Sequence, residues 1–171
     1  IVFDDFATRN QFYGAQVGLD AEFSRGGPWS LEVLGKLALG DTNQRINING
    51  GQQVTNLATG VTTPFVGGLL ALPSNIGSHN HNAFSIVPEV NLTLHYAINE
   101  HWSVLAGYDF LYWTNVVRPG QQIDRVLDET QIPNFDPPGT IAPAGQNRPA
   151  VLFHQSDFWA QGVNLGLEFR Y

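Results

Sequence analysis

The charged and titratable residues of this 171-residue chain recur at alternate positions within several apolar segments. Alternation with period two places such residues on one face of a β-strand. Carboxylates, cationic side chains and an imidazole on one face could line a polar passage, and an excess of acids there would favour cations. The residues concerned are Asp20, Glu22, Glu32, Lys36, Glu89, His95, Asp109, Glu168 and Arg170.

The same residues could instead pair with one another and fill a narrow interior. The expected pairs are Glu32 with Lys36 and Glu168 with Arg170, across neighbouring strands. The sequence leaves both interpretations open.

Motifs for nucleophilic, metalloprotease or phosphate chemistry are absent from the sequence. The chain has no Cys, no Gly-x-Ser-x-Gly, no His-Glu-x-x-His and no glycine-rich phosphate loop. His95 and Asp109 are predicted on adjacent strands of one face, where a hydrogen bond within the wall is more common than a catalytic pair. We therefore expect neither an enzyme nor a cofactor.

Two short segments contain residue types that bind metal ions. His79 and His81 could place two imidazoles, and Asp124, Asp128 and Glu129 could offer oxygen ligands to Ca²⁺. The acidic spacing does not match a calcium loop, and His-x-His in a polar loop is usually solvated. The weak candidates are His79, His81, Asp124 and Asp128, and we predict no metal site.

The elements that carry these residues are predicted to be five β-strands, at about 11–24, 29–40, 84–97, 102–113 and 157–171. Each strand has one apolar face and one polar or charged face. Soluble sandwiches spread Lys and Glu over their exterior, but this chain has 13% charged residues and one Lys. The pattern predicts an all-β, antiparallel up-and-down transmembrane β-barrel, with five or six of its strands in this chain.

Charge and hydropathy exclude other classes of protein. The net charge is −7, so the basic surface typical of a nucleic-acid-binding protein is absent. No run of 18 apolar residues occurs, so no transmembrane helix is predicted.

Aromatic residues gather at both ends of the predicted apolar faces, as in the two aromatic girdles of membrane barrels. Tyr13 and Phe23 are ten residues apart, which is roughly 33 Å along a strand, or about 25 Å along the membrane normal at a tilt near 40°. The predicted girdle residues are Phe23, Trp29, Tyr96, Trp102 and Tyr171 at the short-turn end, and Tyr13, Phe84, Tyr112 and Trp159 at the long-loop end.

Residues 1–171 are expected to form a single β-barrel domain with two long loops, 41–83 and 114–156. A protruding hairpin is predicted to turn at Asn49-Gly50, and the apolar stretch 64–73 is expected to fold into a barrel mouth or contact a neighbouring subunit. Strand parity places residue 1 and the C-terminus at opposite ends. We therefore expect further strands before Ile1, or a wall built from several chains.

Five segments resemble the beta-barrel porin-7 family of bacterial outer-membrane porins. They are FYGAQVGL (12–19), LEVLGKLALG (31–40), GGLLALPSNIG (67–77), FLYWTNVVRPGQQIDR (110–125) and SDFWAQGVNLGLEFRY (156–171). The chain is similar to the C-terminal portion of that family, whose members are longer. The resemblance implies an outer-membrane barrel but no substrate and no catalytic motif.

Two functions remain open from the sequence. The first is a porin-like passive channel for ions or small solutes in the bacterial outer membrane, with a periplasmic C-terminus and extracellular long loops. Its expected partners are membrane lipid, the outer-membrane assembly machinery through the C-terminal strand, and either further copies or neighbouring envelope proteins, with no nucleic acid. The second is a structural envelope or extracellular assembly subunit whose strands and loops make protein contacts.

Overall fold

A computed structural model describes residues 1–128, 131–133 and 147–171 of the chain. These residues form the strands β1 (Val2–Ser24), β2 (Trp29–Thr55), β3 (Thr62–Val66), β4 (Gly77–Ala97), β5 (Trp102–Val117) and β6 (Gln155–Phe169), and a 3₁₀ turn at Pro119–Gln122. Among them, no helix is long and apolar enough to cross a membrane.

The strands form one sheet in the order β1-β2-β4-β5-β6, and β3 pairs with β2. Within the described residues, β1 and β6 are the two edges of this sheet, so the sheet is open. The antiparallel register of β4 and β5 places Asn91 opposite Asp109 and His95 opposite Leu105. The predicted all-β, antiparallel fold is confirmed, and an open sheet is consistent with part of a barrel.

Four strands are longer than the sequence pattern indicated. β1 begins at Val2, β2 continues to Thr55, β4 begins at Gly77 and β5 continues to Val117. The expected loop 41–83 therefore contains half of β2, all of β3 and the start of β4. The connection expected at 114–156 is shorter than predicted. β5 ends at Val117 and β6 begins at Gln155.

The predicted turn at Asn49-Gly50 is wrong, because β2 passes through both residues. The chain reverses instead between Asn56 and Val61, where the Asn56 N–H donates to the Val61 carbonyl at 2.9 Å. Gly60 has a φ of +71° in this turn, which glycine adopts without steric strain. Alternation around Asn49 was thus the continuing pattern of one long strand.

The chain divides into two compact units, and the single β-barrel domain stays a prediction. Unit 1 comprises Ile1–Gln11, Asn43–Asn82 and Val117–Ser156, and unit 2 comprises Phe12–Thr42, Ala83–Val116 and Asp157–Tyr171. Unit 1 has an apolar core in which Ile46, Ile48, Ala71 and Val117 are at most 1% exposed. Phe6, Ile76, Val151 and Phe153 pack against this core.

Unit 2 has the opposite arrangement of apolar side chains. Its buried hydrophobic residues, among those the structure describes, are Ala38 and Val116. Large apolar side chains are exposed instead, including Leu19 at 83%, Val163 at 77% and Leu165 at 79%. The described part of unit 2 therefore has no buried apolar core, and burial of apolar side chains does little to stabilise it.

Candidate functional site

The nine titratable residues singled out above all belong to unit 2. Their strand positions place them together on one side of the sheet, which we call the charged face. The opposite side, the apolar face, carries the exposed Leu, Val and aromatic side chains. The candidate site is the charged face.

Lys36 of β2 and Glu89 of β4 form an ion pair across two neighbouring strands. The Lys36 Nζ lies 2.9 Å from Glu89 Oε1, and both side chains are partly buried. Glu32 lies instead with His95, whose Nε2 is 3.5 Å from Glu32 Oε2. The expected pairing of Glu32 with Lys36 is therefore wrong.

Arg170 and Glu168 pair along one strand end rather than across two strands, with Arg170 Nε donating to Glu168 Oε1 at 3.0 Å. Arg170 also lines a cavity of about 270 Å³ together with Glu22, Glu32 and His95. Asp20 and Glu22 are exposed on β1. The charged face therefore combines ion pairs with exposed acidic side chains.

His95 and Asp109 do not meet. In the β4–β5 register His95 is opposite Leu105, whereas Asp109 is opposite Asn91 and accepts a hydrogen bond from its Nδ2 at 2.6 Å. A base oriented by a carboxylate requires hydrogen-bond contact, which these two residues lack.

The predicted girdle residues lie on the apolar face of unit 2. Trp29 packs on Tyr96 with ring centroids 4.5 Å apart, and Trp102 packs on Phe169 at 4.9 Å. Tyr112 is half-buried, and the other predicted girdle residues are exposed, namely Tyr13, Phe23, Trp29, Phe84, Tyr96, Trp102, Trp159 and Tyr171.

The polar Gln161 stands among the apolar residues of β6 and has a partner on the same face. The Tyr108 hydroxyl donates to Gln161 Oε1 at 2.7 Å. This hydrogen bond lowers the cost of an amide on an apolar surface.

In unit 1 the apolar stretch 64–73 is held against β1 and β2. The backbone N–H groups of Leu69, Leu70 and Ala71 donate to Asp4 Oδ1 at 3.0, 3.1 and 2.8 Å. Ala71 and Leu72 are fully buried. The stretch thus packs within its own unit. A place in a barrel mouth and a contact with a neighbouring subunit both stay predictions.

Sequence reasoning missed Asp4 as the anchor of this loop. A Cβ at Gly68 would meet the Asp4 carboxylate and lie 2.5 Å from the Phe3 carbonyl oxygen. A side chain there would keep the carboxylate away from the loop N–H groups. The adjacent glycines 67 and 68, just before an apolar run, were the signal that a backbone approaches closely here.

The metal candidates occupy separate places and have other partners. His79 Nε2 lies 3.0 Å from the Asn75 carbonyl oxygen, and His81 packs on Phe153 with ring centroids 5.4 Å apart. The described residues contain no group of three His, Cys, Asp or Glu side chains arranged to hold a metal ion. Glu129 lies outside the described residues, and the Asp128 N–H donates to the Arg148 carbonyl at 3.4 Å.

Asp124, 4% exposed, is an anchor of unit 1. Its Oδ2 accepts from Arg148 Nη1 at 2.6 Å and from the Ala150 N–H at 2.8 Å, and its Oδ1 accepts from the Val126 N–H at 3.0 Å. Burial acts to raise the pKa of Asp124, but the hydrogen bonds from Ala150, Arg148 and Val126 outweigh it and hold the pKa below its usual value.

Because its folded-state pKa is lowered, the Asp124 carboxylate stabilises the folded protein above its unfolded-state pKa of about 3.9. That stabilisation is lost as the pH falls through the lower folded-state pKa. We expect Asp124→Asn to lose about 1.5–3 kcal/mol of unfolding free energy at neutral pH. The difference from wild type should shrink below about pH 4.

Urea unfolding of both proteins at neutral and acidic pH measures this. Asp5→Asn, which removes an exposed carboxylate of the same unit, is the matched control and should change stability little at either pH. A deficit of Asp124→Asn that stays constant down to the lowest pH would contradict the assignment.

Comparison with protein families supplies the identity of the fold. No curated protein and no solved structure matches the chain. The family model described as "Putative beta barrel porin-7" matches residues 1–171, the whole chain. That the chain is a C-terminal portion stays a prediction. The chain belongs to the beta barrel porin-7 family.

Proposed function

We propose that this protein is an outer-membrane β-barrel protein that acts as a porin-like passive channel for ions or small solutes. The observation that carries the proposal is the arrangement of unit 2, in which large apolar side chains are exposed on one face and charged ones lie on the other. Family membership supports the same reading through the family's name.

We propose that lipid covers the apolar face. Soluble proteins rarely expose contiguous apolar patches larger than a few hundred Å², yet here exposed side chains recur along every strand of unit 2, as with Leu19, Leu39, Leu94, Tyr108 and Leu165. Bilayer hydrocarbon stabilises such a surface. A closed antiparallel barrel, of which this open sheet would form part, satisfies its backbone hydrogen bonds within the bilayer.

We propose that water and ions occupy the space next to the charged face. Its six acids outnumber its two permanent cations, Lys36 and Arg170. Charged side chains that line a pore select ions of the opposite sign. The proposed channel is therefore mildly selective for cations.

The proposed orientation follows from the unequal connections. The short connections 25–28 and 98–101 would face the periplasm with the C-terminus, and the long ones would be extracellular. The proposed partners are membrane lipid and, through β6, the outer-membrane assembly machinery. We propose no enzymatic role.

The alternative is a structural envelope subunit that makes protein contacts through its loops. Leu57, 98% exposed in the turn between β2 and β3, favours it, because a fully exposed leucine could contact another protein. Burial of Ala71 and Leu72 removes part of the loop surface that this alternative would use.

Conductance separates the two functions. The complete protein, purified in detergent and added to planar lipid bilayers, should produce stepwise current with a preference for cations. Stable insertion without any current would contradict the channel and leave the structural role.

The apolar face can be tested by charge substitution at adjacent positions of β6. Val163→Arg places a charge on the apolar face and should cost about 2–4 kcal/mol of folding free energy in lipid vesicles. Gly162→Arg places the same side chain on the charged face, where a Cβ would have no neighbour within 4 Å. We expect folding to be impaired by the first change only.

Urea unfolding from vesicles, or the folded yield, measures both variants. Equal tolerance of the two substitutions would show that the apolar face is not in lipid.

A further inference from the structure

The acids of the charged face differ in the charge of their partners. Glu89 is paired with Lys36 and Glu168 with Arg170, so each pair contributes little net charge to its surroundings. Asp109 has partners of another kind, because both of its described side-chain partners are neutral amides.

Two asparagines from the neighbouring strands hold the Asp109 carboxylate. Asn91 Nδ2 of β4 donates to Oδ1 at 2.6 Å, and Asn164 Nδ2 of β6 donates to Oδ2 at 3.0 Å. Each carboxylate oxygen is thus fixed by a separate donor, from the strand on either side of β5.

Gly107 makes room for one of these donors. A Cβ at Gly107 would meet Asn164 Oδ1 and lie 2.7 Å from Asn164 Nδ2. The Asn164 amide therefore lies over a position without a side chain, on the same face of β5 as Asp109. Any larger residue at 107 would displace the amide from the carboxylate.

Neutral donors fix a carboxylate without cancelling its charge. Hydrogen bonds to an ionised group are stronger than those between neutral groups, so the two amides hold the carboxylate firmly in position. A cationic partner would have given a similar geometry but would have removed most of the field that a passing ion experiences.

The Asp109 carboxylate is also accessible to small solutes. It lines a groove of about 460 Å³ with Asn91, Leu111, Ala160 and Gly162, and its side chain is only partly buried. A hydrated cation moving along the charged face could therefore approach it.

We propose that Asp109 is a specificity-determining residue of the channel, a fixed negative charge that sets its preference for cations, and that Asn91 and Asn164 are its positioning residues. This inference rests on the proposed channel function. It assigns the selectivity to one position rather than to the net charge of the wall.

Reversal potentials of the complete protein in planar bilayers, under a KCl gradient, give the cation-to-anion permeability ratio. Asp109→Asn should lower this ratio towards one, and Asp109→Glu, which keeps the charge, should retain most of it. The effect should be large at about 0.1 M salt and shrink near 1 M, because the Debye length falls from about 10 Å to about 3 Å.

Asp41→Asn is the matched control, because it removes one carboxylate from an exposed position of β2 on the opposite strand face. It should leave the ratio unchanged. The ratio is a property of open channels, so it does not depend on how much of a variant folds.

An Asp109→Asn channel with the wild-type ratio would overturn the inference while leaving the channel function intact. An equal effect of Asp41→Asn would overturn it too, since total charge would then set the selectivity. Absence of current from the wild-type protein would refute the proposed function, and the inference with it.

Discussion

The alternation of side chains along a β-strand is the constraint on which the rest of this structure depends. Successive residues must face opposite sides, so each strand of unit 2 presents two chemically different surfaces to its surroundings. The side chains that would form a core in a soluble sheet, such as Val17, Leu19 and Leu165, are exposed here. Burial of apolar side chains within unit 2 therefore contributes little to its stability.

One strand can have different surroundings along its length, and β2 is an example. Between Trp29 and Leu39 its odd-numbered residues are apolar and its even-numbered ones include Glu32 and Lys36. Beyond Gly40 the odd-numbered residues are polar and mostly exposed, as with Arg45, and the even-numbered Ile46 and Ile48 are fully buried. The change of pattern falls where β2 passes from unit 2, in which several of its apolar residues are exposed, to unit 1, in which Ile46 and Ile48 are buried.

Much of the architecture could be predicted because period-two alternation is a local property of the sequence. The apolar face of β6 and the short turn after Ser24 follow directly from residue type. The long extent of β2 could not be predicted in the same way, because its odd-numbered residues are apolar up to Leu39 and polar beyond it. Asp4 binds loop N–H groups 65 to 67 residues away in sequence, a contact that no local pattern encodes.

The sequence predicted which residues belong to the candidate site, but not which of them contact one another. Parity placed all nine titratable residues on one face. Register decided that Lys36 contacts Glu89 rather than Glu32, and that Asp109 is opposite Asn91. Register between strands depends on long-range hydrogen bonds. Only the structure could therefore show that Glu89 has a cationic partner whereas Asp109 has neutral amide partners.

The proposed lipid cover of the apolar face of unit 2 can be measured directly through the four tryptophans of the chain. Trp29, Trp102 and Trp159 lie on the apolar face and are exposed. Trp113 follows the girdle residue Tyr112 but lies on the charged face, where its Nε1 donates to Thr42 Oγ1 at 2.9 Å. Variants that keep one tryptophan each can be reconstituted in lipids brominated near the headgroup end of their acyl chains. If lipid covers the apolar face, Trp159 fluorescence should be strongly quenched and Trp113 fluorescence little quenched. Equal quenching of the two would show that the apolar face is not in lipid.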